Sequence, residues 1–333
     1  MKVIIPLAGK GTRLRPQTYH TPKPLLHVGG RPVMSYILDD LKGLGVEEII
    51  FITGYLGDVI EAYVAEAYPE FRAHYVEQPV QNGTAGAVKL AEDFVDEDIL
   101  IIFVDTLFDA DLGLAKRLPE GEAGVIWAKE VEDYQRFGVI VKDADGFMKR
   151  IVEKPKDPIS KLANIGLYYI RDWRLFYEGV NDTLEGPPGP SGEFYITDAF
   201  QYMIDHGAKI RVGEVEGWYD CGQLETLLET NRHLLETGRG RLPDGGQNVK
   251  VHEPVRVEEG VELEDVEIGP NVTVETGSVI RGSTLRDSIL GAGVRIENAR
   301  LHDSLIGDRA AVTGITGRLS VAAHSVVAGE TAD

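Results

Sequence analysis

Residues 2–26 read KVIIPLAGKGTRLRPQTYHTPKPLL. The apolar run Val3 to Leu7 predicts a buried first strand. It breaks into Ala8-Gly9-Lys10-Gly11-Thr12-Arg13, a glycine-rich turn carrying two cations. Glycines there let backbone N–H groups approach an anion, and Lys10 and Arg13 add charge. Pro22-Lys23-Pro24 holds a third cation on a stiffened backbone. The physical reading is a polyphosphate cradle at the carboxyl edge of an α/β sheet. A Gly-Lys-Gly turn after a strand is also a common connection in its own right. Neither standard phosphate motif fits. No Gly-Lys-Ser/Thr closes the loop, and position 14 is Leu where the dinucleotide fingerprint needs Gly.

Outward from this turn, apolar runs alternate with amphipathic ones. Glu48 to Thr53, Ala73 to Glu77 and Ile99 to Thr106 read as strands. Pro32 to Leu44, Asp58 to Tyr68 and Ala85 to Val95 read as helices, with Pro32 in a first helical turn. The alternation predicts βαβ units in a Rossmann-like, mostly parallel sheet with helices on both faces. Gly124 to Val131 and Gly138 to Val141 continue the strands, and Asp143-Ala144-Asp145-Gly146 reads as a hairpin turn before Phe147 to Glu153. Asn181 to Ser191, rich in Pro and Gly, reads as a surface loop. Ile196 to His206 reads as a helix stopped by Gly207, Ile210 to Tyr219 as a strand and Leu224 to Glu236 as a helix.

Past residue 237 the pattern changes. Residues 238–248 read as a Gly/Arg/Pro linker, and over 249–330 no helical period survives. Apolar residues recur instead in steps of about five to six, the mark of a hexapeptide-repeat β-helix. Asp287-Ser288-Ile289-Leu290-Gly291 returns as Asp303-Ser304-Leu305-Ile306-Gly307. Stacked coils of this kind bury a continuous apolar column; a two-sheet sandwich is the alternative. The domain expectation is 1–237, a linker 238–248, and a short left-handed parallel β-helix over 249–330.

Composition narrows the function. The chain has 333 residues, 43% hydrophobic and 26% charged, with a formal net charge of −20. That field argues against nonspecific nucleic-acid or anionic-membrane binding. An anionic substrate must be drawn by a local cation cluster. The single cysteine, Cys221, excludes an intrachain disulfide and a cysteine metal cluster. No apolar run is long enough for a membrane span and no signal-peptide pattern opens the chain, so the cytoplasm is the expected compartment.

Several residues carry candidate chemistry. Asp105 ends an apolar run and Asp220 lies in Gly217-Trp218-Tyr219-Asp220-Cys221-Gly222. Carboxylates at strand ends face the ligand crevice of such a sheet, and two can hold Mg²⁺ with water and phosphate oxygens completing the shell. Two unrelated turn aspartates are the plain alternative. Gln78 to Gly86 lies between a strand and a helix, and Glu153-Lys154-Pro155 follows a strand. On their own these read as a helix-entry turn and a surface charge pair.

The whole string G-x-G-T-R-L-x-P, then T-P-K-P-L-L, resembles the signature of the sugar-nucleotide pyrophosphorylases, the sugar-1-phosphate nucleotidylyltransferases. With its repeat region, the chain resembles the long-form glucose-1-phosphate thymidylyl- and uridylyltransferases. The resemblance implies that Leu7, Ala8, Gly9, Gly11, Thr12, Arg13, Lys23, Gln78, Gly83 and Thr84 bind the nucleotide. It implies that Gly138, Glu153, Lys154 and Asn164 bind the sugar phosphate, and that Asp105 and Asp220 hold Mg²⁺. One departure is Val104-Asp105 where the family has Gly-Asp. Glu193 to Asp198 resembles the family's E-Y-x-I-T-D segment and is read as structural, with Thr197 or Asp198 capping a helix.

The implied reaction is an in-line displacement by the sugar-1-phosphate oxygen on the α-phosphorus of an NTP. Arg13, Lys23, Asp105, Lys154 and Asp220 are the implied catalytic set. Gln78 points to dTTP or UTP with glucose 1-phosphate. Gly83-Thr84-Ala85-Gly86 also resembles guanylyltransferases acting on mannose 1-phosphate, which remains the alternative. Two rival roles are an acyltransferase β-helix and a non-catalytic regulatory subunit. His252, His302 and His324 sit in no recognisable acyltransferase motif, and the charged residues of the catalytic set are all present. A β-helix whose apolar ends need covering implies a homodimer or tetramer.

Overall fold

A computed structural model describes residues 1–189 and 191–329. Pro190 of the expected 181–191 loop and residue 330 of the expected β-helix lie outside the described residues. The elements of the first part are, in order, strand β1 (Lys2–Pro6), the short pair β2 (His27–Val28) and β3 (Arg31–Pro32), helix α1 (Val33–Gly43), β4 (Glu48–Thr53), α2 (Gly57–Ala67), β5 (Arg72–Glu77), α3 (Thr84–Lys89), β6 (Ile99–Ile102), β7 (Thr106–Asp109), β8 (Gly124–Glu130), β9 (Gly138–Lys142), β10 (Met148–Glu153), β11 (Leu162–Ile170), α4 (Trp173–Glu185), α5 (Ile196–Asp205), β12 (Ile210–Glu214), β13 (Gly217–Asp220) and α6 (Leu224–Leu234). The chain forms two compact units, residues 1–9 with 37–218, and residues 10–36 with 219 onward.

The first unit is built on a mixed Rossmann-like sheet in the order β10-β9-β11-β6-β1-β4-β5. Its β6-β1-β4-β5 half is parallel, with Val3 opposite Ile49 and Leu100. Val3, Ile4 and Ile5 are fully buried. A strand covered on both faces needs such an unbroken apolar run. The other half is antiparallel, with Leu167 opposite Ile102 and Glu153 opposite Gly138. On one face Ile4, Ile50, Ile101, Ile126 and Tyr168 meet Val88, Phe176, Val180, Phe200 and Met203 of α3, α4 and α5.

Five expected elements differ in the structure. The helix expected over Ala85 to Val95 is α3 only as far as Lys89, followed by a separate 3-10 turn at Glu92–Phe94. The strand expected over Ile99 to Thr106 is interrupted after Ile102. There the Phe103 amide donates to Gly166 O at 2.9 Å, and Gly166 holds φ +77° inside an irregular stretch of β11. Asp105 therefore lies in the turn between β6 and β7. The expected loop from Asn181 begins as helix, because α4 carries its buried face through Phe176, Tyr177, Gly179 and Val180 and ends only at Glu185, before Pro187-Pro188. The run Ile210 to Tyr219 is two strands, broken between Glu214 and Gly217. Pro32 closes β3 and α1 starts one residue later.

In the second unit the strands from Gln247 to Ala328 are all parallel, in faces that each stack coil upon coil, consistent with a β-helix. Val255 pairs with Val272, Ile280 with Ile296, Ile289 with Leu305 and Leu305 with Ser320, so successive coils are 15 to 17 residues apart. Val274, Leu290 and Ile306 form one buried column, and Ile280, Ile296 and Val312 another. One set of corners falls at Asn271 (φ +62°), Asp287 (φ +43°) and Asp303 (φ +47°). Asn and Asp tolerate the left-handed region better than other side chains. The next residue in the repeat, Ser288 or Ser304, is fully buried. Ser288 Oγ accepts Ser304 N at 3.1 Å, and Ser304 Oγ accepts Leu319 N at 2.9 Å. The repeated Asp-Ser is thus a corner residue followed by a buried hydroxyl ladder.

Candidate active site

In the second unit the glycine-rich turn is compact. Gly11 adopts φ +59°, and its carbonyl accepts Leu14 N and Thr18 Oγ1, each at 2.9 Å. A Cβ on Gly11 would approach Thr18 Cγ2 to 3.0 Å and Lys23 Cβ to 3.3 Å, so a side chain there would be both strained and crowded. The turn brings Arg13 and Lys23 to Asp220. All three surround Gly222, where an added Cβ would lie 2.7 Å from Asp220 Oδ1, 3.4 Å from Lys23 Nζ and 3.6 Å from Arg13 Nη2. Asp220 is held from behind by Gly222 N on Oδ1 at 2.7 Å and by the Thr226 hydroxyl on Oδ2 at 3.3 Å. Two cations and one carboxylate therefore meet beside Gly222. Thr12 and Lys10 stand exposed at the rim of the turn.

In the first unit, Leu7 and Ala8 are buried at the end of β1, and Gly9 is exposed. Leu7 N donates to Ile52 O at 2.7 Å, and Gln81 Nε2 donates to Ala8 O at 2.5 Å. The loop after β5 is closed on itself and latched. Gln78 is buried, with Nε2 donating to Asn82 Oδ1 at 3.3 Å. Gly83 takes φ +114°, and a Cβ there would lie 2.3 Å from Phe194 O. Phe194 N donates to Asn82 O at 2.8 Å and Ala85 N to Phe194 O at 3.0 Å. Thr84 Oγ1 accepts Ile196 N at 2.9 Å, which gives that hydroxyl a latching role.

A second group of residues meets around Gly138. Its Cβ position is 2.3 Å from Asn164 Nδ2, 2.8 Å from Thr197 Cγ2 and 2.9 Å from Glu153 Oε2. Asn164 is fixed by donating to Gly138 O at 3.0 Å and by accepting Gly166 N at 3.3 Å and the Tyr168 hydroxyl. Burial pushes the Glu153 carboxyl above its ordinary value, and the neighbouring Lys154 charge opposes the shift. Lys154 Nζ lies 3.8 Å from Glu153 Oε1, donates to Tyr195 Oη at 3.3 Å and sits 4.7 Å from the centre of the Tyr195 ring. Its backbone is at φ +44°, a strained conformation for lysine. Asp105, half-buried in its turn, joins this group electrostatically. Burial pushes the Tyr168 phenol up, and the Glu153 and Asp105 charges add to it.

The expected cap by Thr197 or Asp198 is not what forms. Tyr195 is the N-cap of α5 and no side chain caps it, while the Thr197 hydroxyl donates to Glu153 Oε2 at 3.3 Å. Three further residues, Tyr168, Tyr195 and Gln81, adjoin the expected ones; Gln81 falls in the 78–86 stretch and Tyr195 in the 193–198 motif, while nothing local marks Tyr168.

Asp105 in the first unit and Asp220 in the second are each a hard oxygen donor of the kind a divalent ion takes, and the two bonds to Asp220 leave lone pairs on its carboxylate. Among the described residues no group of three or more His, Cys, Asp or Glu side chains could cage a metal. In the β-helix, His252 pairs with Glu267 at 2.7 Å and His302 with Asp303 at 2.9 Å, both at the surface. Among the described residues no helix is long and apolar enough to cross a membrane.

Residues 2–237 match the nucleotidyl transferase family. The chain is 31% identical over 339 residues to a glucose-1-phosphate thymidylyltransferase of Streptomyces antibioticus, covering 94% of each chain. It is 32% identical over 242 residues to the UTP–glucose-1-phosphate uridylyltransferase AglF of Haloferax volcanii, covering 71% of this chain and 97% of that one. The fold is shared with a UDP-glucose pyrophosphorylase crystallised with UDP-glucose, at a TM-score of 0.62 and 24% identity over 71% of this chain and 98% of that one. The chain belongs to the nucleotidyl transferase family, as a sugar-1-phosphate nucleotidylyltransferase.

Proposed function

We propose that the chain transfers a thymidylyl or uridylyl group from dTTP or UTP to glucose 1-phosphate, releasing pyrophosphate. Gln78 carries this choice of base. Its neutral amide is held in the loop through Nε2, and among the described residues no hydrogen bond to Oε1 is formed. Thymine and uracil present an N3–H donor beside an O4 acceptor, which one side-chain amide can match with its own acceptor and donor. The names of the two relatives support the same bases and the same sugar.

In this reading Lys154 holds the phosphate of the attacking sugar, with Tyr195 fixing the ammonium from the other side. Glu153, Asn164 and the bare backbone at Gly138 receive sugar hydroxyls. Lys23 neutralises the α-phosphate as the new bond forms. Arg13 and the amides of the turn from Leu7 to Thr12 hold the departing pyrophosphate. Asp105 and Asp220 are the proposed ligands of Mg²⁺, which when bound supplies further neutralisation of phosphate charge. Catalysis is then positioning and charge compensation, with no covalent enzyme intermediate. Residues 1–237 are the proposed catalytic domain, 238–248 the linker and 249–330 the β-helix, and a homodimer or tetramer is the proposed assembly.

The test is pyrophosphate release with Mg²⁺ over a grid of dTTP, UTP, GTP, ATP and CTP against glucose, N-acetylglucosamine, mannose and galactose 1-phosphates. Turnover concentrated in dTTP or UTP with glucose 1-phosphate is expected. GTP with mannose 1-phosphate as the preferred pair would overturn the Gln78 argument, and a blank grid would favour a binding subunit.

A further inference from the structure

The second unit contains both the turn bearing Arg13 and Lys23 and the β-helix. Between those two cations lies Gln17, only 5% exposed. A buried amide is costly unless its polar atoms are matched. Those of Gln17 are matched by the β-helix. Nε2 donates to Leu305 O at 2.8 Å and to Val321 O at 3.0 Å, and Oε1 accepts the Ser320 hydroxyl at 3.3 Å. Leu305 and Ser320 are register partners on adjacent coils, so one side chain clasps two coils. Val321 O already accepts Gly307 N at 2.9 Å, and Gln17 uses its second lone pair.

Two further ties follow along the segment. His27 Nδ1 lies 2.9 Å from Glu275 Oε1. Gly29 N donates to the fully buried Asn231 Oδ1 at 2.9 Å, and the same oxygen accepts the Thr273 hydroxyl at 2.7 Å. The segment from 11 to 26 contains only single 3-10 turns at Thr12–Leu14, Gln17–Tyr19 and Lys23–Leu25. It has no ladder of its own to hold its shape, and ordering such a chain costs backbone entropy. Thr18, next to Gln17, passes the anchor back to the glycine turn through its bond to Gly11 O at 2.9 Å.

We propose that Gln17 is a positioning residue that clamps residues 11–23 to the β-helix, so that the β-helix holds Arg13 and Lys23 in place for the nucleotide phosphates. The inference rests on the nucleotidyl-transfer reading for its kinetic consequence, but not for its structural one. Nothing in the local sequence marks Gln17, because its partners are backbone carbonyls 288 and 304 residues away.

The test uses the full chain as Gln17→Leu, Ser320→Ala and the double variant. Gln17→Leu should speed amide exchange over residues 11–23 by about tenfold or more, with β1 unchanged. It should raise the KM for dTTP about tenfold while that for glucose 1-phosphate moves less than about twofold. Ser320→Ala should shift the dTTP KM in the same direction by less. The double variant should be no worse than Gln17→Leu, because the shared contact is already lost. Exchange and dTTP KM at wild-type values in Gln17→Leu would overturn the proposal. So would equal changes in both KM values tracking a lowered Tm, the mark of a merely structural residue. If Gln17→Leu does not fold, an unchanged dTTP KM in Ser320→Ala overturns it. If the wild type turns over no pair, the catalytic reading fails and the exchange comparison still decides the clamp.

Discussion

Adding one methyl group at Gly138 tests the geometry of the proposed sugar site. In Gly138→Ala the new Cβ would fall 2.3 Å from Asn164 Nδ2, 2.8 Å from Thr197 Cγ2 and 2.9 Å from Glu153 Oε2. Asn164 must retreat by about 1 Å to reach an ordinary contact distance. It cannot do so and keep its bonds to Gly138 O at 3.0 Å, to Gly166 N at 3.3 Å and to the Tyr168 hydroxyl. Overpacking costs about 1–3 kcal/mol, and each lost internal hydrogen bond about 1 kcal/mol, for a total of about 2–4 kcal/mol. A loss of that size should lower Tm by about 5 °C or more. Displacement of Asn164 and Glu153 should raise the KM for glucose 1-phosphate by about ten- to a hundredfold, with the NTP KM much less affected. Calorimetry and initial-rate kinetics read the two effects separately. A variant with wild-type Tm and wild-type sugar-phosphate KM would refute the convergence of these side chains on Gly138.

Three other outcomes are expected. Asp105→Asn should lower kcat by about a hundredfold or more while Tm stays close to wild type, measured by pyrophosphate release and calorimetry; near wild-type turnover would remove Asp105 from the metal assignment. Burial holds the Glu153 carboxyl above its ordinary value of 4.5, so the folded state binds that proton more tightly than the unfolded chain. Stability should then fall as pH rises from 4.5 through the raised value, and Glu153→Gln should raise Tm at neutral pH with the gain vanishing below 4.5, a trend that Tm against pH will confirm or reject. Ile296→Ala, at a fully buried position stacked between Ile280 and Val312, should cost about 2–5 kcal/mol in denaturant unfolding of the β-helix; a loss well under 1 kcal/mol would contradict the continuous apolar column.

Much of the architecture was legible in local pattern. The unbroken apolar β1 and the alternation after it indicated a sheet buried on both faces. The repeated Asp-Ser-apolar-apolar-Gly indicated stacked coils, because each coil must meet the same corner and the same interior as the one before. The chemistry-bearing motifs were legible as residue types at the ends of elements. Their neighbours were not. Gly166, far along the chain, bonds to Phe103 and turns the run bearing Asp105 out of its strand. Thr197 looked like a helix cap because caps are local, yet its hydroxyl goes to Glu153 across the sheet edge.

By itself, the sequence determined most of the strands and helices, though neither β11 nor α4, together with the change to a coiled repeat and the chemical class of the groups available to bind phosphate and sugar. Those properties depend on neighbours a few residues apart, and periodicity records them directly. Tertiary structure alone decided which groups meet: Gly138 with Asn164, Thr197 and Glu153; Asp220 with Arg13 and Lys23; Gln17 with the carbonyls of Leu305 and Val321. Such meetings depend on sheet register and on which buried backbone groups have lone pairs to spare. Every residue carries the same backbone carbonyl, so the partners of Gln17 have no signature in the sequence.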